Sequence, residues 1–476
     1  MMSLYERADK LGVQLRRCVL ALLGSEGLFL AVMTLFNGVL NTDIFLGDGD
    51  WIEPLRTYLI MPWSGMLLGM YLLREKERSG LGGRMAALLM LWLIIPFSLR
   101  FGTEHHTMQA AHGYAVCFFV FYASICSGDA RRRTQQLDIA CAGMCLLAIV
   151  LGSALLLCAW TGEVFYSYEN TQCFGVANGQ LQHADHYNNT GMLALTCMLM
   201  CLVGLCRSKK KPASALYLLG VLMMALVVVL TQSRTSRYAM LAVLALGTWN
   251  ALSEYLPLKK ALLRQGAALA CAAVVLAGGY ELCSAITDAA LAHYAGTPSP
   301  VAEAIVPSAL AEDAKETAAS DAPQALEARK AVDSTFSDRT NIWKNVFKLW
   351  KENPKHMLIG NGAARTRWLI AQNTIHEKTG VVATHNAYLH FAAEYGLIGF
   401  AILAVFMGSV VPAAVRVFFA RGRRRMTGGC ALCMLVIAIL LTGLMENSPL
   451  EVVTPMSMAL FFALGQLAGM GRDLKN

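Results

Sequence analysis

Long apolar runs recur along this chain and limit its fold more than any other feature of its sequence. They are roughly 16 to 24 residues long, close to the about 20 residues that cross a hydrocarbon core as a helix. With 56% hydrophobic and 15% charged residues, the 476-residue chain is too apolar for a soluble globule of this size. The sequence therefore predicts an all-α polytopic membrane protein with about 12 transmembrane helices, near 18–40, 57–73, 85–99, 110–126, 137–160, 190–206, 215–231, 238–253, 266–283, 388–415, 427–445 and 456–471.

The basic residues predict the orientation of these helices, because Lys and Arg in short loops stay on the cytoplasmic side. If both termini are cytoplasmic, 25 of the 40 basic residues lie in short cytoplasmic segments, which are 1–17, 74–84, 127–136, 207–214, 254–265, 416–426 and 472–476. The short external loops then hold only Arg56, Arg100, Arg234 and Arg237. The net charge of +8 thus reflects orientation in a plasma membrane, and it indicates no nucleic-acid partner.

One long polar stretch divides the chain into three parts. The sequence predicts transmembrane helices 1–9 with short loops over residues 1–283, a large extracytoplasmic loop over 284–387, and helices 10–12 over 388–476. Within the loop, Ile342, Val346 and Trp350 recur at helical spacing, and lysines lie on the other side. We therefore expect an amphipathic helix near 339–352 that rests on the membrane surface or caps the helix bundle.

The segment that leads from this loop into the tenth helix carries titratable groups at the expected outer surface. Asn386, His390 and Glu394 are four residues apart, so they form one polar stripe if the segment is helical, with His385 at its head. Gly396 and Gly399 would let a neighbouring segment approach closely or let the chain bend. For a generic membrane protein these would simply be interfacial polar residues at a helix start.

Three motifs change that interpretation. His385-Asn386, followed after nine residues by Gly396-Leu397-Ile398-Gly399, resembles the signature of the O-antigen ligase family, whose relatives include the O-antigen polymerases. The segment Thr231–Arg237 is similar to the family's Ser-Arg element, and Arg339 with Trp343 is similar to its Arg-x3-Trp element. In the family the first motif ends the large periplasmic loop and begins the tenth of twelve helices, where it also falls here.

The resemblance implies specific roles for these residues. It implies that Arg234 and Arg339 bind the diphosphate of an undecaprenyl diphosphate-linked glycan and that His385 lies close to the reacting centre. A guanidinium fork is well shaped for phosphate oxygens, and a histidine can accept the proton of an attacking hydroxyl. Supporting roles are expected for Asn386, Glu394 and Arg237, and no metal and no cofactor are expected.

Three classes of function remain open. The first is an enzyme that moves the glycan to a sugar hydroxyl of lipid A-core or another envelope acceptor, with a repeat-unit polymerase as the alternative that differs only in acceptor. The second is a transporter or flippase for a lipid-linked or anionic solute, which would place polar residues at mid-bilayer depth. The third is a non-catalytic sensor or scaffold that uses the long loop.

Several other polar residues have a functional and a structural interpretation. Asp48 and Asp50 have the spacing of a divalent-metal motif, but Asp-Gly pairs also form turns. His183, Asp185 and His186 are metal-ligand types, but Asn178, Asn188 and Asn189 favour a substrate-lining loop there. Glu26 is functional, buried with a partner, or interfacial. Glu446 could face the same cavity as His385, and Cys173 and Cys283 could form a disulfide.

Overall fold

The structure is a computed structural model in which part of the chain is described. The described residues are 12–14, 18–40, 60, 62–70, 85, 88, 92, 116–123, 130–166, 173–177, 179–184, 187–256, 260–296, 335–352, 354–362, 384–420, 428–450 and 454–474. The predicted spans near 57–73, 85–99 and 110–126 therefore lie largely outside them, as do Asp48 and Asp50.

Eleven helices are numbered here in chain order within the described residues, together with three short strands. They are α1 Glu26–Leu35, which continues as a π-helix over Phe36–Leu40, α2 Ala130–Thr161, β1 Val164–Tyr166, β2 Cys173–Ala177, β3 Gln180–Ala184, α3 Tyr187–Arg207, α4 Lys211–Leu230, α5 Arg234–Tyr255, α6 Ala261–Gly296, α7 Thr335–Glu352, α8 Pro354–Ile359, α9 Ala387–Phe418, α10 Gly429–Thr442 and α11 Pro455–Asp473.

Five of these helices are long and apolar enough to cross a membrane: α2, α3, α4, most of α6, and α9. A bent pair, Gly12–Leu23 with Glu26–Leu40, would raise the number to six. Further predicted spans coincide with α5, α10 and α11, which are shorter or more polar. The structure thus confirms a mostly helical chain with several apolar helices able to span a membrane, whereas the count of twelve stays a prediction.

Two differences from the expected topology concern the external loops. The loop that follows α2 contains a three-stranded antiparallel sheet in the order β1-β2-β3. The sequence had predicted an all-α protein and no strands. Its strands are only three to five residues long and lack a long alternating pattern. In addition, α6 continues past 283 to Gly296, so the expected start of the large loop falls inside a helix.

Ion pairs join three helices at the end of the bundle that carries the basic residues. Arg132 on α2 lies 2.8 Å from Glu26 on α1, and Arg133 pairs with Asp473 on α11. Glu26 is buried at the first turn of α1, where Ser25 caps the helix. A buried carboxylate beside a guanidinium is compensated, so the structure gives Glu26 a structural partner.

The long helix α9 is broken at Gly396, as the glycine had indicated. Gly396 has a φ of 74°, in the left-handed region that glycine favours. Two carbonyls next to the break accept backbone hydrogen bonds from the segment after α8: Asn361 N donates to Ala393 O and Gly362 N donates to Glu394 O, both at 2.9 Å. The break is thereby satisfied inside the protein, as irregular backbone at a membrane span must be.

The amphipathic helix α7 lies on α9, so of the two expected arrangements it caps this part of the bundle. Its buried residues Ile342, Val346 and Trp350 pack with Ala392 and Ala393 of α9 in a small apolar cluster. Lys344, Lys348 and Lys351 face away from that contact and are exposed. The packing holds the loop residue Arg339, on the first turns of α7, close to the start of α9.

Candidate functional site

The turn that carries His385 is held rigidly between α9 and the segment after α10. The Thr384 hydroxyl donates to Asn447 Oδ1 at 3.1 Å, and the backbone N–H of Asn386 donates to the same oxygen at 3.0 Å. Trp343 Nε1 donates to Thr384 O at 2.9 Å. His385 has a φ of 49°, a conformation that is uncommon for residues other than glycine and that these flanking bonds maintain.

Asn386 supports this turn and begins α9. Its Oδ1 accepts a hydrogen bond from the Leu389 amide at 2.9 Å, which is the contact of a helix N-cap. Its Nδ2 donates to Leu444 O at 3.1 Å. Both side-chain groups of Asn386 are therefore used within the protein, and its supporting role at the site stays a prediction.

Glu446 brings the two halves of the expected site together. Its Oε1 lies 3.3 Å from Arg339 Nη2, and its Oε2 lies 3.6 Å from His385 Nδ1. Asn188 Nδ2 also donates to Oε1 at 3.0 Å. The Glu446 side chain is only 8% exposed, against 35% for His385, so the carboxylate lies under the histidine.

Arg234 lies at the N-terminal end of α5, in the first turn after the N-cap Ser233. Its side chain is exposed. Tyr187, the first residue of α3, lies within electrostatic range of Arg234, Arg339 and Glu446. The structure therefore groups both expected diphosphate-binding arginines around one end of α3, next to the carboxylate that contacts His385.

The turn before Arg234 fits closely against α3. Gly191 has no side chain, and a Cβ there would lie 2.9 Å from Ser233 Cβ and from Ser236 Oγ. Gln232 has a φ of 56°, and its Nε2 donates to Gly179 O at the tip of the β2–β3 hairpin at 2.6 Å. The position of Arg234 thus depends on α3 and on the sheet β1-β2-β3.

Arg237 and Glu394 lie apart from this group. Arg237 Nη2 donates to Val229 O and to Thr287 Oγ1, both at 3.3 Å, so it joins the ends of α4, α5 and α6. Glu394 lies 3.0 Å from His390, and both side chains are buried. Eight residues of helix place Glu394 about 12 Å along the axis from Asn386. Their supporting roles remain predictions.

The external residues that had suggested a metal have other surroundings. His183 on β3 is buried beside the Gly38 backbone, and burial lowers its pKa to about 4. Asp185 and His186 lie outside the described residues, as does Asn178. Across the described segments, no group of three or more His, Cys, Asp or Glu side chains could hold a metal ion. Cys173 and Cys283 are both free thiols.

Some of these positions could not be anticipated from the sequence. Gly191 and Tyr187 belong to no recognisable sequence motif. The role of Asn447 becomes visible only through its hydrogen bonds with Thr384 and Asn386. Asn188 had been grouped with a substrate-lining loop, and it does reach the site, through Glu446. The arrangement offers two guanidinium groups for an anion, an imidazole on a carboxylate, and a partly exposed surface between them.

Comparison with known proteins finds a similarity over part of the chain. A family model described as O-Antigen ligase matches residues 219–404. That range includes Arg234, Arg339 and His385, whereas Asn188 and Glu446 lie outside it. No curated protein matches the chain. Residues 219–404 are therefore similar to the O-antigen ligase family.

Proposed function

We propose that the protein is a ligase-like glycosyltransferase that moves a glycan from undecaprenyl diphosphate to a sugar hydroxyl of lipid A-core or another envelope acceptor. The observation that carries the proposal is the shared carboxylate: Arg339 and His385 both contact Glu446. Arg339, which could bind a diphosphate, and His385, which could accept the proton of a hydroxyl, thus lie on either side of the Glu446 carboxylate.

The proposed reaction is a single displacement at the anomeric carbon. The acceptor oxygen forms a bond to this carbon while the bond to the phosphate oxygen breaks, and the diphosphate leaves with the electron pair. Arg234 and Arg339 stabilise the charge that develops on the leaving group, which requires no metal. His385 accepts the proton of the hydroxyl. Attack opposite to the leaving group inverts the anomeric configuration.

The geometry of α3 supports a site on the extracytoplasmic side of the plasma membrane. Its first turn contacts Glu446 through Asn188, and its last residue, Arg207, pairs with Asp138 at 2.8 Å. The 21 residues of α3 span about 30 Å, the thickness of a hydrocarbon core. The site and the basic residues thus lie at opposite ends of a helix that crosses the membrane, with both termini cytoplasmic in our proposal.

Reconstitution tests the proposal directly. Purified protein in vesicles is given a defined undecaprenyl diphosphate-linked glycan and a lipid A-core acceptor, with and without a chelator. We expect an inverted product, turnover that survives chelation, and a loss of roughly 10²- to 10⁴-fold in His385→Ala. Undiminished transfer by correctly inserted His385→Ala would remove the histidine from the mechanism.

The same assay separates the alternatives. A polymerase would use a second lipid-linked repeat as acceptor, and it would lengthen the glycan on its lipid. A transporter or flippase would form no glycosidic product and would instead move solute or lipid-linked glycan across the vesicle membrane. We expect transfer to the lipid A-core acceptor to exceed both activities.

A further inference from the structure

Glu446 is the point where the donor and acceptor sides of the site meet, and it lies outside the matched family region. Its two carboxylate oxygens have different partners: Oε1 faces Arg339 and Asn188, and Oε2 faces His385. One charge is therefore divided between the proposed diphosphate-binding arginine and the proposed base.

We propose that Glu446 is a positioning residue that couples donor binding to the readiness of His385 to accept a proton. This inference rests on the function proposed above. Without donor, Arg339 offsets the charge of Glu446. With the diphosphate bound at Arg339, phosphate oxygens balance the guanidinium, and the carboxylate is left to stabilise protonated His385.

The electrostatics of the site support this coupling. The Glu446 side chain is 8% exposed, so charges around it are weakly screened by solvent. Among the described residues, the charged and titratable groups around it are Arg339 from α7, His385 before α9, and Tyr187 from α3, which also lies in range of Arg234. A diphosphate bound at Arg339 would bring one negative charge on each phosphate and so would change the field at Glu446.

Asn188 allows Glu446 to keep its position while Arg339 changes partner. The amide donates to Oε1 at 3.0 Å without carrying a charge, and it is buried at the start of α3. The neighbouring Asn447 fixes the Thr384 turn through two further bonds. The carboxylate and the histidine are therefore both held by groups that the donor does not bind.

The proposal predicts different effects on kcat and on the KM for donor. In Glu446→Gln the base loses the charge that stabilises its protonated form, so kcat falls about tenfold or more and the acidic limb of the kcat–pH profile moves to lower pH. Arg339 loses its competing partner, so the KM for donor stays the same or decreases. A merely structural role would instead raise the donor KM as kcat fell.

Two further variants complete the experiment. Glu446→Asp keeps the charge, so we expect an intermediate kcat with the acidic limb where wild type has it, and this variant also serves if Glu446→Gln inserts poorly. Glu352→Gln, at the exposed end of α7, is the matched control and should behave as wild type. The proposal is overturned if kcat and donor affinity fall together with an unmoved limb, or if Glu446→Gln is fully active. If the wild-type protein transferred no glycan to any acceptor, the proposed function itself would be contradicted.

Discussion

Asn188 on the first turn of α3 donates a hydrogen bond to Glu446, 258 positions further along the chain, at 3.0 Å. The bond joins a helix near the middle of the chain to the residue that contacts both Arg339 and His385. It makes α3 part of the site, although the matched family region begins only at residue 219.

Replacement of Asn188 tests this bond. Asn188→Ala removes a donor to a buried carboxylate, a bond worth about 1.5–3 kcal/mol, so we expect glycan transfer to fall about tenfold. Asn188→Asp places a second carboxylate beside Glu446, and the like charges should make its loss larger than that of the alanine variant. Initial rates of transfer in vesicles measure both. An aspartate variant as active as wild type would show that the bond has no role in the reaction.

The site could be predicted from the sequence only where a local pattern carried it. Apolar runs predicted the long helices, and short motifs located Arg234, Arg339 and His385 because each motif lies within a few residues. The hydrogen bond between Asn188 and Glu446 has no local signal, since its partners come from distant parts of the chain. The same holds for Asn447, which acts on the Thr384 turn only after the fold brings them together.

The sheet β1-β2-β3 and the break in α9 also show how far the sequence alone can predict the structure. Strands β1, β2 and β3 are too short to give a recognisable alternation, so the sheet was not predicted. Gly396 was predicted to permit a bend, because only glycine adopts its conformation easily. What the glycine could not reveal is the partner of the break, which is the backbone of Asn361 and Gly362.

Gly191 provides a test of how α3 positions Arg234. In Gly191→Val the new side chain would collide with Ser233 and Ser236, so the turn that carries Arg234 must move. We expect the KM for donor to rise at least several-fold, because a displaced guanidinium loses its alignment with phosphate oxygens. Gly278→Ala on α6 is the control, since its Cβ would meet nothing within 4 Å. An unchanged donor KM in Gly191→Val would contradict this role.

The break in α9 should be sensitive to any side chain at Gly396. Gly396→Ala places a side chain at φ 74° and ψ 171°, a region that is essentially restricted to glycine and costs about 1–3 kcal/mol, and its Cβ would also collide with Leu358 O. We expect a lower Tm in detergent than for Gly408→Ala on the same helix, whose Cβ has open space. Equal Tm values would mean that the break is not required for stability.

His183 should make the protein less stable in acid. Burial lowers its pKa from 6.5 to about 4. Between these two pH values the unfolded chain binds a proton at His183 and the folded chain does not. The contribution of His183 to the free energy of unfolding is therefore complete above pH 6.5 and is lost as the pH falls from 6.5 to 4. The loss is on the order of 3 kcal/mol. In His183→Phe this part of the pH dependence of Tm should disappear. A variant with the wild-type pH dependence would assign the acid sensitivity to other groups.

Arg234 and Arg237 should separate binding from stability, although they lie one helical turn apart. Arg234 is exposed at the site, so Arg234→Gln should raise the KM for donor about tenfold or more and leave Tm near the wild-type value. Arg237 donates to Val229 O and Thr287 Oγ1 between helix ends, so Arg237→Gln should lower Tm because a carbonyl and a hydroxyl lose their donor. Donor titration and thermal unfolding in detergent measure the two effects. If Arg234→Gln lowered Tm and left the donor KM unchanged, Arg234 would be an interfacial anchor, and the diphosphate would have to rely on Arg339.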